Sequence, residues 1–328
     1  MNKLLHGNEK YKAMIIGAGR IAATFDTPKS KEVLTHAHAY KKHPKVELLG
    51  FFDADKAASK KAAKMWSCQA FGSFEESMGM KPDIVSICTP DNTHLAILKK
   101  IISFAPRFVI CEKPLTTNLT ETKTIVESYE KQRIPLIVNY SRRFDPFVQT
   151  LREQLADGTF GNVIGAIGIY SKGLLHNGSH LIDLARYLFG EVASATPLYE
   201  SIDDDTHKPT VAGFLTFTNC PQFHLAVANE KRYGVFELDI LAENARIRLT
   251  EHGFACSIQR AQEDKRYPGF PVLGKAIIKK TGLPQAMYRL IDNSVAHLEK
   301  KSTLLCSGRE VLRTQEICEL LLFKALKP

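Results

Sequence analysis

The seven cysteines never form a C-x-x-C pair, and several lie in apolar runs where a free thiol packs as a small hydrophobe, so a reducing compartment is expected. No apolar run approaches the length of a membrane span. Met1 to Lys12 is polar and charged where a signal peptide needs an apolar core. The expectation is a cytoplasmic protein with no membrane partner. Internal repeats and low-complexity segments are also missing. The formal charge of +9 favours an anionic partner such as a phosphorylated cofactor or a nucleotide-linked or acidic substrate. Its lysines and arginines are spread along the chain, apart from short clusters such as Lys275 to Lys280, so a solvated basic surface is expected and no nucleic acid partner. What is present is ordinary globular composition: 328 residues with a hydrophobic fraction of 44% exceed one core and predict two domains.

Tyr11 to Ile16 reads as a buried strand that turns through Gly17-Ala18-Gly19-Arg20-Ile21-Ala22 into a helix. Gly17 allows the tight turn, Gly19 lets a pyrophosphate approach the backbone, and Ala22 permits close packing of helix on strand. A second apolar run, Val46 to Phe52, ends in Asp53, where a dinucleotide-binding fold places the acid that accepts from ribose hydroxyls. The interval is longer than the usual ~20 residues. The surplus is assigned to a polar loop, Phe25 to Thr35, near the cofactor phosphates, followed by a helix carrying His36 and His38 as surface or packing residues. Further strands are expected at Pro82 to Cys88, Arg107 to Cys111 and Pro135 to Asn139. Helices alternate with them, one capped near Asp91 or Asn92 and one with capping-box spacing over Asn118 to Glu121. This alternation predicts a doubly wound parallel α/β sheet that binds its ligand beyond the carboxyl ends of its strands. Thr89, Pro90, Glu112, Lys113 and Asn139 fall at such ends.

After Tyr140 the pattern changes. A helix is expected over Phe147 to Ala156, then strands at Val163 to Tyr170, Val211 to Phe217, Phe223 to Ala228, Tyr233 to Leu241 and Ala245 to Leu249, with helices at Gln285 to Lys300 and Glu310 to Leu326. Runs of strands without intervening helices predict a mostly antiparallel sheet. The expected architecture is therefore α/β + α+β, a Rossmann domain over residues 1–140 and an α+β domain over 141–328.

The stretch Gly173 to Asp183 concentrates three chemically capable side chains. On a helix, His176, His180 and Asp183 at i, i+4 and i+7 project from one face. They suit a metal site, a proton shuttle, or the plain start of an amphipathic helix over Leu181 to Phe189, with Asp183 paired to Arg186.

Gly17-Ala18-Gly19-Arg20-Ile21-Ala22, Cys111-Glu112-Lys113-Pro114, Arg142-Arg143-Phe144-Asp145-Pro146 and Gly178-Ser179-His180-Leu181-Ile182-Asp183, in this order, resemble the glucose-fructose oxidoreductase, inositol dehydrogenase and MocA family of nicotinamide-dependent enzymes. The resemblance spans nearly the whole chain. It implies a Rossmann domain followed by an open-faced sheet domain that lines the substrate cleft and builds homodimers or homotetramers. It implies Lys113 as the catalytic lysine, with a cis Lys113-Pro114 bond, and His180 as the catalytic histidine. Asp183 is implied to hold substrate. His176 stands where many members carry an aspartate.

Cofactor binding is expected from Gly17, Gly19, Arg20, Ile21, Asp53, Thr89, Pro90, His94, Glu112, Lys113 and Asn139. Substrate binding is expected from His176, Asp183, Arg143, Tyr170 and Lys172. Oxidising an alcohol needs a base at its hydroxyl, and a lysine serves only if its pKa falls. Asp53 repels a 2′-phosphate, so NAD is expected in preference to NADP, although Lys56 is nearby. The leading expectation is an NAD-dependent oxidoreductase acting on a secondary hydroxyl or ketone of a sugar, inositol or nucleotide-linked sugar. A non-catalytic NAD(P)-binding sensor of the same fold is the alternative. A metal site is not expected, because the cofactor turn supplies the redox chemistry.

Overall fold

The computed structural model describes residues 9–201 and 209–325. The chain divides into two compact units, Met1–Phe144 with Pro284–Leu312, and Asp145–Leu283 with Arg313–Pro328. Compared with an expected boundary after residue 140, the first unit reaches Phe144 and takes in a later piece of chain. That return was not legible as a separate element, because a helix pattern does not say which core it joins.

The first unit contains β1 (Tyr11–Ile16), α1 (His36–Lys42), β2 (Val46–Phe52), α2 (Lys56–Trp66), β3 (Gln69–Ala70), α3 (Phe74–Gly79), β4 (Ile84–Ile87), α4 (Asp91–Ile102), β5 (Phe108–Cys111), α5 (Leu119–Lys131) and β6 (Leu136–Val138). Its six strands lie in the order β3-β2-β1-β4-β5-β6, and all pair in parallel. This is the order of a dinucleotide-binding sheet, with the reversal between β1 and β4. Strands β4, β5 and β6 are buried at every position, as parallel strands covered on both faces must be. Helix α4 begins at Asp91 behind Pro90, with no side-chain cap. Asn118 caps α5 by accepting from the Glu121 amide at 3.2 Å.

The second unit contains α6 (Pro146–Ala156), β7 (Val163–Tyr170), α7 (Ser179–Phe189), β8 (Val192–Ser201), β9 (Thr210–Phe217), β10 (Cys220–Val227), β11 (Phe236–Ala242), β12 (Ala245–Thr250), β13 (Ala255–Glu263), β14 (Pro271–Leu273) and β15 (Ile277–Lys280). Two later helices follow, α8 (Ala286–Leu298) and α9 (Gly308–Ala325); α8 belongs to the first unit and the division between units falls within α9. The helix expected to end at Leu326 is thus seen to Ala325, since Leu326 lies outside the described residues. The sheet runs β14-β13-β12-β11-β7-β10-β9-β8, with β15 also on β13. Only β7 and β10 pair in parallel, and the rest are antiparallel. Strands β8, β13, β14 and β15 were not anticipated; the last two expose nearly every side chain, which erases the alternation that marks a half-buried strand.

Helix α7 packs one face of this sheet: Leu181, Ile182, Leu184, Ala185 and Phe189 join Phe217, Phe223 and Leu238 in one core. Phe189 and Phe217 lie edge to face at a centroid distance of 5.9 Å, and Phe217 and Phe223 likewise at 5.2 Å. On strands β7, β9 and β11, Ile167, Phe214 and Leu241 stay exposed at 39%, 51% and 41%. Among the described residues no helix is long and apolar enough to cross a membrane.

Candidate active site

The site in the first unit is assembled at the carboxyl ends of β1, β2, β4, β5 and β6. Gly17 has φ +100°, and a Cβ there would stand 2.6 Å from the Cys88 carbonyl oxygen, so the turn that leaves β1 tolerates glycine alone. Its amide donates to Phe52 O at 2.7 Å. A Cβ on Gly19 would meet nothing within 4 Å, and Gly19 and Arg20 are exposed, so the face a pyrophosphate would approach is open. The turn enters a five-residue segment, Arg20–Thr24, that is π-helical where a helix was expected. Asp53 closes the turn from the end of β2. Its carboxylate accepts from the Ala18 amide at 2.6 Å and the Asp55 amide at 2.8 Å.

The polar loop expected over Phe25 to Thr35 is folded onto one buried acid. Asp26 accepts from the Leu34 amide at 2.6 Å, the Thr35 hydroxyl at 2.6 Å and His38 Nδ1 at 2.8 Å. His38 is therefore a buried partner of Asp26 rather than a surface residue.

At the end of β5, Glu112 leads into Lys113, and the Lys113-Pro114 bond is cis, as the motif implied. His94, buried on α4, ties two strand ends together: its ring nitrogens lie 2.9 Å from Thr89 O and 2.8 Å from Pro114 O. An imidazole N–H donates to one carbonyl, and a protonated ring to both. Burial lowers the proton affinity of Lys113; the Glu112 and Asp91 carboxylates oppose this and Arg142 adds to it, and the balance leaves its pKa below the ordinary lysine range. That is the property a lysine base requires.

Glu112 sits at the centre of a hydrogen-bonded chain that sequence reasoning missed. Its Oε1 accepts from His36 Nε2 at 2.8 Å and from Asn139 Nδ2 at 2.7 Å. His36 Nδ1 lies 3.0 Å from Ser86 Oγ, which lies 2.5 Å from the Tyr40 hydroxyl. His36, expected at the surface or in plain packing, is fully buried and bonded at both nitrogens. Burial pushes the Glu112 carboxyl up, but the His36 hydrogen bond and charge, the Asn139 amide and Lys113 together hold it below the usual carboxylate range. Asn139 Oδ1 is buried without a hydrogen-bond partner, an acceptor left at the strand ends for a donor from a bound molecule. An open glycine turn, a carboxylate after β2 and this orphaned acceptor are what a dinucleotide with ribose hydroxyls and a carboxamide needs, so the residues fit NAD.

In the second unit the stretch around His180 is not one helix. Gly173–Gly178 forms a π-helical segment and α7 starts at Ser179, so the i, i+4, i+7 geometry of a regular helix does not carry through from His176 to Asp183. Gly178 is required by close approach, since a Cβ would stand 2.8 Å from the Tyr170 ring. His176 and His180 are half-buried, and Lys172 is exposed with φ +73°. Asp183 is 1% exposed and accepts from the Thr314 hydroxyl at 3.1 Å; Thr314 in turn accepts from Arg186 Nη1 at 2.7 Å, and Arg186 grips Glu191 at 2.8 Å. Asp183 is thus built into a buried polar chain linking α7 to α9. Among the described residues no three His, Cys, Asp or Glu side chains converge as metal ligands would.

Two expected substrate residues lie inside their own units. Tyr170 is fully buried, and its hydroxyl donates to Val211 O at 3.0 Å and accepts from Val211 N at 2.8 Å, so it pins β7 to β9 instead of lining a cleft. Arg143 is buried in the first unit, where Nη1 donates to Leu305 O at 3.1 Å and to Glu310 at 3.3 Å, the structural acid that a buried guanidinium requires.

Residues 11–140 match the GFO_IDH_MocA family, described as an oxidoreductase family with an NAD-binding Rossmann fold. Over 323 residues the chain is 26% identical to inositol 2-dehydrogenase of Rhizobium meliloti (strain 1021), covering 91% of this chain and 92% of that protein. The Gfo/Idh/MocA oxidoreductase match is carried by residues 11–140, and the likeness to the inositol 2-dehydrogenase runs on over most of the chain. Solved structures of similar fold include an Agrobacterium radiobacter oxidoreductase in complex with NAD+, L-tartaric acid and magnesium, at TM-score 0.78 and 18% identity with 97% of each chain covered. Another is the WlbA dehydrogenase of Bordetella pertussis in complex with NADH and UDP-GlcNAcA, at TM-score 0.75 and 16% identity, again covering 97% of each chain. The matched stretch, residues 11–140, includes the glycine turn, Asp53, Glu112, Lys113 and Asn139.

Proposed function

We propose that this protein is an NAD-dependent oxidoreductase that transfers a hydride between nicotinamide and a secondary hydroxyl or ketone of a sugar, inositol or nucleotide-linked sugar. The observation that carries the reading is Lys113, a lysine at the carboxyl end of a central parallel strand whose proton affinity is lowered by its surroundings. NAD, when bound, supplies the hydride acceptor in oxidation and the donor in reduction. In oxidation the Lys113 Nζ takes the hydroxyl proton as the C–H bond gives up its hydride; in reduction it returns that proton to the new alkoxide oxygen. His180 is assigned, from the motif it lies in, as the second acid-base group of the reaction. His176 and Lys172 are assigned to substrate binding, and His176, in place of an aspartate, to specificity.

Relatives support the substrate class: an inositol 2-dehydrogenase, and a dehydrogenase whose structure holds UDP-GlcNAcA. The discriminating experiment incubates purified protein with NAD+ and a panel of inositols, sugars and nucleotide sugars while NADH absorbance is followed. Turnover with any member supports the reading. NADH binding without turnover across the panel points instead to a cofactor-dependent sensor.

Asp53 favours NAD over NADP, because a 2′-phosphate would meet its carboxylate. Asp53→Ser is expected to weaken NADH binding by about tenfold, the loss of roughly one charged hydrogen bond, and to narrow the preference over NADPH. Fluorescence titration with both nucleotides checks this, and an unchanged ratio of the two affinities contradicts it.

The exposed Ile167, Phe214 and Leu241 on neighbouring parts of this sheet suit burial against a second copy, giving a homodimer or homotetramer. Light scattering is expected to find an oligomer that Ile167→Glu dissociates. A monomeric wild-type protein overturns this assignment.

A further inference from the structure

We propose that His36 is a positioning residue of the active site, holding the Glu112 carboxylate as a fixed negative neighbour of Lys113. The argument rests on geometry within the first unit. Five side chains from α1, β4 and the ends of β5 and β6 form an unbroken chain, Tyr40–Ser86–His36–Glu112–Asn139, with every link between 2.5 and 3.0 Å. Tyr40, Ser86 and His36 are fully buried and Asn139 nearly so. With Glu112 ionised, the bond to its Oε1 requires a hydrogen on His36 Nε2, whatever the state of Nδ1; the rotatable Ser86 hydroxyl adapts to the other nitrogen. The carboxylate is thereby gripped from two sides, by His36 on α1 and by Asn139 after β6.

The chain positions and does not conduct. A proton wire needs an exit, and this one ends at the Tyr40 hydroxyl, where burial raises the pKa far beyond the ordinary phenol range and no charge can be deposited. The neighbouring thiols of Cys88 and Cys111 are likewise held protonated by burial and by Glu112 itself. The charges that face Lys113 are those of Glu112, Asp91 and Arg142. His36 therefore acts through one channel: it keeps Glu112 ionised and in place, and Glu112 limits how far burial depresses Lys113. Losing that grip raises Glu112, removes the negative neighbour and lets Lys113 fall further.

The proposal rests on Lys113 as the proton-accepting group of the function proposed above, and the test needs no substrate. Lysines of the full-length protein are reductively methylated with 13C-formaldehyde, the Lys113 signal is assigned by its absence in Lys113→Arg, and its titration is followed by NMR. Glu112→Gln is expected to lower the Lys113 midpoint by about one pH unit. His36→Leu is expected to move it in the same direction by a smaller amount, and His36→Gln, whose amide can still donate to Glu112, to restore the wild-type midpoint. Circular dichroism and NADH titration accompany each variant. If His36→Leu fails to fold, His36→Asn, too short to reach Glu112, takes its place. A midpoint that moves in Glu112→Gln but not in the His36 variants overturns the role of His36. A midpoint that moves in neither overturns the coupling itself. Absence of turnover on every substrate would sink the hydride-transfer reading while leaving this titration interpretable.

Discussion

Lys113→Ala is expected to reduce turnover by about 10² to 10⁴ while leaving NADH affinity within a few-fold of wild type, because acid-base help is lost and the glycine turn and Asp53 remain. The physical reason is specific to this lysine. Its ammonium is partly desolvated at the end of β5, and Arg142 adds to the cost of its charge, while Glu112 and Asp91 recover only part of it. In the proposed reaction the deprotonated amine is the form that accepts the substrate proton, so the oxidation rate should rise with pH through a midpoint below that of a free lysine and then level off. The reverse reduction needs the protonated form and should fall over the same interval. The measurements are kcat and KM against pH for wild type and Lys113→Ala, with NADH titration as the binding control. A Lys113→Ala protein with kcat near wild type would remove Lys113 from the chemistry.

Gly17→Ala is expected to cost about 2–3 kcal/mol of stability and to abolish measurable NADH binding. Two effects combine at this position. A residue with a Cβ is strained at φ +100°, and that Cβ would overlap the Cys88 carbonyl oxygen at 2.6 Å, a backbone atom that cannot swing away. Relief requires β1 and β4 to shift at the point where the strand order reverses. Such a shift would also disturb Ala18, whose amide bonds Asp53. Thermal unfolding and NADH titration together test this. Wild-type melting with intact binding would contradict it. Gly19→Ala makes the contrast: no atom lies near its Cβ in the protein alone, so its stability should change little while cofactor affinity falls.

Much of this architecture is legible in the sequence. Strands β1 and β2 fall where the apolar runs begin and end, at Tyr11 to Ile16 and Val46 to Phe52. Buried parallel strands read as continuous apolar runs, and the turns between them carry glycine, proline and capping residues, so both signals are local. The Glu112-Lys113-Pro114 segment and the Gly178-x-His180 segment were visible for the same reason, as short motifs whose meaning lies in neighbouring residues.

The network around Glu112 was not legible. His36, Ser86, Glu112 and Asn139 are separated by as many as 76 residues between bonded partners, and no local pattern marks a histidine as bonded to a distant acid. The same holds for Asp26, which gathers Thr35 and His38, and for Thr314, which joins Asp183 to Arg186 from another helix. Tyr170 reads as a cleft residue from its place at a strand end and Arg143 as a substrate-binding residue from its charge; whether such a residue faces outward depends on what packs over it. One local signal did exist for His36: it falls one position after Thr35, whose hydroxyl caps α1 by accepting from the His38 amide at 3.1 Å, so the helix start was readable even though the ring's partner was not.

The parallel nucleotide-binding sheet, the glycine turn, the acid after β2 and the lysine at the end of β5 are thus written locally in the chain, because each depends on hydrophobic period or on backbone needs within a few residues. Which buried polar groups meet, and with it the charge that surrounds Lys113, is settled by folding, because desolvation and hydrogen bonding are set by whatever the fold brings within about 3 Å of a side chain.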